Sequence, residues 1–222
     1  MMIRVVVTGA TGMVGEGVLH ECLQHPDVEH ILVVGRKTCG VVHPKLRELL
    51  VPDFSDLSAF VNQLTGYNAC FFCLGVSSVG MNERDYYRAT YTLTLHMATL
   101  LSQRNGGMTF CYVSGAGTDS TELGSSMWAR VKGKTENDLM ALPFKQVYNF
   151  RPGYIHPTKG LRNTKSYYSY LSWLYPLLRR LFPGSVLTLS QLALAMIHSV
   201  DKGTQKKVLE VKDILALAEG RE

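Results

Sequence analysis

Val5-Val-Val-Thr-Gly-Ala-Thr-Gly-Met-Val-Gly15 decides the reading of this chain. An apolar run, Ile3 to Val7, stops at Thr8 and meets three glycines spaced Gly9-x-x-Gly12-x-x-Gly15. The amphipathic stretch Val14 to Leu23 follows directly. A strand, a glycine turn and a helix in that order form the unit that lays a dinucleotide over a helix N-terminus. Glycines let backbone come close to a pyrophosphate, and the unpaired N–H groups and dipole of the new helix favour its charge. A plain βα turn that binds nothing is the competing reading; the strand before, the helix after and the N-terminal position favour binding. Thr8, Gly9, Thr11, Gly12, Met13, Val14 and Gly15 are therefore candidate cofactor-binding residues.

Working outward, strand-like runs recur at 3–7, 31–34, 46–51, 69–74, 109–113 and 146–150. Several are continuously apolar, as a sheet covered on both faces requires. Helical periodicity fills 12–24, 56–64, 83–104 and 125–141. This alternation predicts an α/β fold, a Rossmann-type doubly wound parallel sheet. It lapses after Arg151-Pro152-Gly153. Residues 154–165 read as a polar loop, and Tyr167–Phe182 is apolar and aromatic, broken by Pro176. That stretch has three readings: helices packed on the sheet edge, a dimer surface, or a lid over an apolar substrate or membrane surface. Helix at 189–199, strand at 207–211 and helix at 214–218 close the chain. The expectation is one domain over 1–222, with a core at 1–153 and a small C-terminal helical segment, 154–222, that serves as substrate or lid segment.

Composition narrows the function. A chain of 222 residues, 46% hydrophobic and 18% charged, suits one well-packed domain. The net charge of +5 is modest and no Lys/Arg run exceeds two residues, so no nucleic-acid partner is expected. No leader-like pattern precedes Ile3, and no uncharged apolar run approaches the roughly 18 residues of a spanning helix. The five cysteines, Cys22, Cys39, Cys70, Cys73 and Cys111, are odd in number without a secretory context. They read as reduced thiols in a cytoplasmic protein. Cys70-x-x-Cys73 falls in a strand, where i and i+3 face opposite sides, so it is not read as a redox or metal motif. His20 and His25 are five apart and do not share a helix face as a zinc motif needs, so no metal site is expected.

The order of Thr8-Gly9-x-x-Gly12-x-x-Gly15, Tyr112-Val-Ser114, Lys132 and Arg151-Pro152-Gly153 resembles the short-chain dehydrogenase/reductase superfamily. Within it the chain is similar to the atypical, epimerase/dehydratase-like members, near the Tat-interacting-protein-like oxidoreductase group. The likeness covers about residues 1–160. It implies an NAD(P)-dependent oxidoreductase or epimerase-like protein acting on a carbonyl or hydroxyl of a small-molecule substrate. In such proteins the end of the second strand selects the cofactor. An acidic residue there would bind the ribose 2′-hydroxyl of NAD, but this chain has Gly35-Arg36-Lys37. A guanidinium fork suits a 2′-phosphate, so the resemblance implies NADP(H) as the preferred cofactor, with NAD(H) second. It further places Asp53 and Phe54 at the adenine, and Leu74, Gly75 and Val76 along the ribose. Lys132 falls on the nicotinamide ribose hydroxyls, and Pro152, Gly153, Tyr154 and Ile155 beside the nicotinamide.

The catalytic segment departs from the family. The family sets a serine beside Tyr-x-x-x-Lys, whose i, i+4 spacing puts phenol and ammonium on one helix face. The ammonium lowers the phenol's pKa, and the phenol exchanges the proton. Ser114 and Lys132 stand where the family has them, but Trp128 occupies the tyrosine position, and an indole N–H only donates. Three readings follow. Another tyrosine supplies the proton, with Tyr112, Tyr86, Tyr87, Tyr91 and Tyr154 as candidates. Or Trp128 walls the pocket, with Ser114 or water as proton partner; His156, in the loop after Arg151-Pro152-Gly153, is a separate acid/base candidate by its ordinary pKa. Or the chain is a catalytically degenerate NADP(H)-binding regulator or sensor. The short C-terminal segment leaves little room for a nucleotide sugar, so a small or lipid-like carbonyl suits better. A homodimer is compatible with the same segment.

Overall fold

The computed structural model describes residues 1–163, 175–182 and 184–220. The chain begins with β1 (Ile3–Thr8), α1 (Met13–Gln24), β2 (Val28–Gly35) and β3 (Leu46–Leu50), then a 3-10 turn at Ser58–Leu64 and β4 (Ala69–Phe72). Next come α2 (Glu83–Tyr87), a π-helical turn (Arg88–Thr92), α3 (Leu93–Arg104), β5 (Thr109–Val113), α4 (Met127–Met140) and β6 (Gln146–Arg151). The C-terminal part holds β7 (Tyr154–His156), α5 (Tyr175–Leu181), β8 (Val186–Thr188), α6 (Leu189–Asp201), β9 (Val208–Glu210) and α7 (Val211–Ala218).

Seven strands form one sheet in the order β3-β2-β1-β4-β5-β6-β9, every pairing parallel. This is the doubly wound Rossmann arrangement, and the chain reverses its direction of travel across the sheet between β1 and β4. Side-chain alternation assigns the two faces. Val5, Val7, Ile31, Val33, Phe71 and Cys111 point to the layer of α1, α6 and α7. Val6, Leu32, Val34, Phe72, Phe110 and Tyr112 point to α3 and α4. Strands buried on both faces need apolar residues at successive positions, which is why β1 and β4 read as continuous runs rather than alternating ones. Cys70 and Cys73 pack on opposite faces, as their spacing predicts, and all five cysteines are free thiols.

Three local differences from the sequence reading have physical causes. The helix read at 83–104 carries the π turn, which shifts the hydrogen-bond register in mid-course. The stretch read as a polar loop from 154 holds β7, paired in parallel with β8; three-residue strands leave no periodicity to find. The helix near 56–64 is a 3-10 turn over Ser58–Leu64. Of Tyr167–Phe182, residues 167–174 lie outside the described residues, and Tyr175–Leu181 is α5. No helix among the described residues is long and apolar enough to cross a membrane.

Candidate functional site

The glycine turn joins the C-terminal end of β1 to α1, and each glycine has a different reason. Gly9 takes φ +72°, and a Cβ there would lie 2.6 Å from the Cys73 carbonyl oxygen. Gly15 packs α1 onto the turn, since a Cβ would come within 2.2 Å of the Gly9 oxygen. Gly12 is different: a Cβ would meet only the Gly9 oxygen, at 3.4 Å, and the residue is exposed. Gly12 is also the N-cap of α1, and no side chain caps that helix. Its first N–H groups therefore lack intrahelical partners and open toward the cleft.

A cavity of about 810 Å³ lies beside this turn, lined by Gly9, Thr11 and Gly12, by Arg36 beyond β2, and by Pro52–Ser55 beyond β3. Cys73–Val76 beyond β4 and one face of α2, the π turn and α3 complete it. Its volume is in the range that small-molecule cofactor sites occupy. The structure thus brings Gly9, Thr11, Gly12, Arg36, Asp53, Phe54, Leu74, Gly75 and Val76 to one cavity. Nothing lies within 4 Å of where a Gly75 Cβ would be, so that loop leaves open space. The Ser55 hydroxyl and N–H hold the Asp53 carboxyl below its usual range, so it stays ionised at neutral pH.

Other expected cofactor residues also make contacts within the protein. Thr8 is fully buried, and its hydroxyl accepts the N–H groups of Cys73 (3.1 Å) and Leu74 (3.2 Å), tying β1 to the loop after β4. Met13 and Val14 pack against the core by their side chains. Lys37 does not line the cavity. Nor do Pro152, Gly153, Tyr154 and Ile155, which are turned to β8 and the core. The Pro152 oxygen accepts the Ala116 N–H, and Tyr154 N–H donates to the Ser185 oxygen. A Cβ on Gly153 would lie 2.3 Å from that oxygen, and Ile155 belongs to the core. The glycine of Arg-Pro-Gly is required by strand packing, which sequence alone does not distinguish from a ligand contact.

The segment around Ser114 also differs from expectation. Ser114 is buried, and its hydroxyl donates to Glu136 Oε1 at 2.5 Å, with the Phe150 oxygen 3.1 Å away. In this arrangement the single hydroxyl proton of Ser114 is committed to a carboxylate. The Lys132 amine donates to the Ser114 carbonyl oxygen. Burial pulls its pKa down to about 8 against the pull of Glu136. Trp128, one turn before Lys132, lies with its ring near Gly117. Glu136, fully buried one turn after Lys132, receives the Arg151 guanidinium and the Ser114 hydroxyl. The sequence reading missed Glu136; its signal was the i, i+4 step from Lys132 along α4.

The alternative proton donors are mostly closed off. Burial pushes the Tyr112 phenol far up, and Tyr86, buried too, is also raised. Tyr91 donates to Asp138 Oδ2 at 2.6 Å, and that bond raises its pKa. Tyr87 packs against Tyr91 in a tilted pair, ring centroids 4.5 Å apart. His156 stacks on Tyr175 at 4.0 Å, and burial lowers its pKa.

Residues 5–124 match the NAD dependent epimerase/dehydratase family. The chain belongs to that family. It is similar to protein fmp52-1, mitochondrial, of Aspergillus terreus, 28% identical over 167 residues that span 71% of this chain and 69% of that protein. It is similar also to protein FMP52, mitochondrial, of Saccharomyces cerevisiae, 26% identical over 66% of this chain and 63% of the yeast protein, less than two thirds of its length. Among solved structures, the Bordetella bronchiseptica enzyme WbmF in complex with NAD+ shares the fold. Its TM-score is 0.66 at 15% identity, covering 98% of this chain and 76% of that one. The relatives' names overturn the cytoplasmic expectation. An odd number of cysteines does not single out the cytosol among compartments that keep thiols reduced.

Proposed function

We propose that this chain binds NADP(H) in the cavity beside the glycine turn and that its serine–tyrosine–lysine proton relay is dismantled. The observation that carries the second half is Ser114, whose hydroxyl is committed to buried Glu136 while Trp128 stands at the tyrosine position. The uncapped α1 N-terminus and the open Gly12 fit a diphosphate. Arg36 on the cavity wall, with no acidic residue at that position, fits a ribose 2′-phosphate. Asp53 and Phe54 would hold the adenine end. When bound, the nicotinamide supplies or accepts a hydride. On this reading the protein is a cofactor-responsive regulator or sensor, and the names of its relatives make a mitochondrial setting part of the proposal.

One observation favours a second reading, an oxidoreductase acting on a small carbonyl. Lys132, with its pKa near 8, exchanges a proton close to neutral pH and stands one turn from Trp128. Following NADPH absorbance across a carbonyl panel separates the two. The first reading expects binding without turnover by the natural chain. Substrate-dependent oxidation of NADPH by that chain, abolished in Lys132→Met, overturns it in favour of the second.

A further inference from the structure

The wall of the cavity opposite α1 is one helical face: Asp85, Arg88, Ala89, Thr92, Leu93 and His96 all line it. Arg88 opens the π turn, a local rewinding that re-aims side chains and recurs at functional sites. Its neighbours on both sides fix its level in the cavity. His96 lies close enough to lower the Asp56 carboxyl and shares a groove with Val61, so it belongs to the end formed by the loop after β3. At the other end Glu83 pairs with Arg130 at 2.9 Å, setting the start of α2 against α4, the helix of Trp128 and Lys132. Arg88 lies between these markers, about 12 Å along the helix from His96.

Charge gives that position its meaning. The glycine turn carries no cationic side chain, and a helix N-terminus contributes only about half a positive charge. Asp85, on the same wall, is occupied: Asn82 Nδ2 donates to its Oδ2 at 2.8 Å. The Arg88 side chain is exposed and has no ion pair or hydrogen bond among the described residues. We infer that Arg88 binds the diphosphate bridge of the dinucleotide, closing on it from the side opposite the α1 N-terminus. The inference rests on the cofactor reading above and adds a second division of labour. Arg36 reads the 2′-phosphate, and Arg88 holds the diphosphate that every such dinucleotide carries.

Calorimetric titration of the purified chain with NADPH and with NADH tests it. Arg88→Ala weakens both ligands by the same factor, about tenfold or more, as loss of a charge-assisted bond requires. Arg88→Lys retains part of the affinity, and Arg36→Ala weakens NADPH alone. An Arg88→Ala protein that binds both ligands like the parent, while Arg36→Ala loses NADPH, overturns the inference and leaves the cofactor reading standing. Loss confined to NADPH also overturns it, because it moves Arg88 to the 2′-phosphate. A parent chain that binds neither ligand overturns the cofactor reading and this inference with it. Arg88 is exposed, so an unchanged melting temperature confirms that the variants are folded.

Discussion

Glu136 and Arg151 meet inside the protein, with Nε of the arginine 3.0 Å from Oε1 and 3.1 Å from Oε2 of the glutamate. Arg151 Nη2 also donates to Glu136 Oε2 and, at 2.5 Å, to Ser120 Oγ. Its Nη1 reaches Glu210 Oε1 at 3.3 Å. One side chain at the end of β6 thus joins α4, the loop after β5 and the edge strand β9. The pair holds the Ser114 segment in place and takes the serine hydroxyl out of the cleft.

Removing one partner leaves an uncompensated buried charge, which costs about 3–5 kcal/mol. Arg151→Met therefore lowers stability by that order in urea unfolding. Ser114→Ala, which removes one hydrogen bond to that carboxylate and leaves its arginine in place, costs less, about 1.5–3 kcal/mol. Equal losses for the two variants would mean that the ion pair is not the centre of the network.

The three glycines of the turn separate folding from binding. Gly15→Ala forces a Cβ onto the Gly9 oxygen and costs about 1–3 kcal/mol. Gly12→Ala has room, so its melting temperature stays close to that of the parent while its affinity for the dinucleotide falls. If Gly12→Ala and Gly15→Ala lose stability alike, the turn is packed more uniformly than described.

Lys132 gives a pH signature. Its pKa is lowered in the folded state, from the usual 10.5 to about 8, by burial. Between those values the unfolded chain holds more protons than the native one, so this group makes stability rise with pH over that window. Below about pH 8 the ammonium is charged in both states and its burial opposes folding by ~3 kcal/mol. Lys132→Met is thus more stable than the parent near pH 7, and the gap narrows toward pH 10. A gap independent of pH would show that the amine is not desolvated.

Much of the fold was legible because the β1 run, Gly9-x-x-Gly12-x-x-Gly15 and the apolar strands all follow local rules of period and turn chemistry. The Arg36, Asp53 and Leu74–Val76 positions were legible for the same reason: each ends a strand at one edge of a parallel sheet, where such folds gather ligands. What escaped depends on long-range packing. Whether Ser114 faces a substrate or Glu136 is decided by the approach of α4 to β6. Gly153 is small because Ser185 crosses it, 32 residues later. The Arg88 wall keeps helical spacing at 85, 88, 89, 92, 93 and 96, but spacing alone does not say that this face lines a cavity.

If this cleft takes NADP(H), Arg36 makes the choice between the two cofactors. Titrating the full chain with NADPH and NADH, with Arg36→Ala beside it, tests that most directly. NADPH binds more tightly than NADH, and the difference is lost in Arg36→Ala while NADH affinity is kept. Equal affinity for the two forms in the parent chain, or a preference that survives Arg36→Ala, would contradict it.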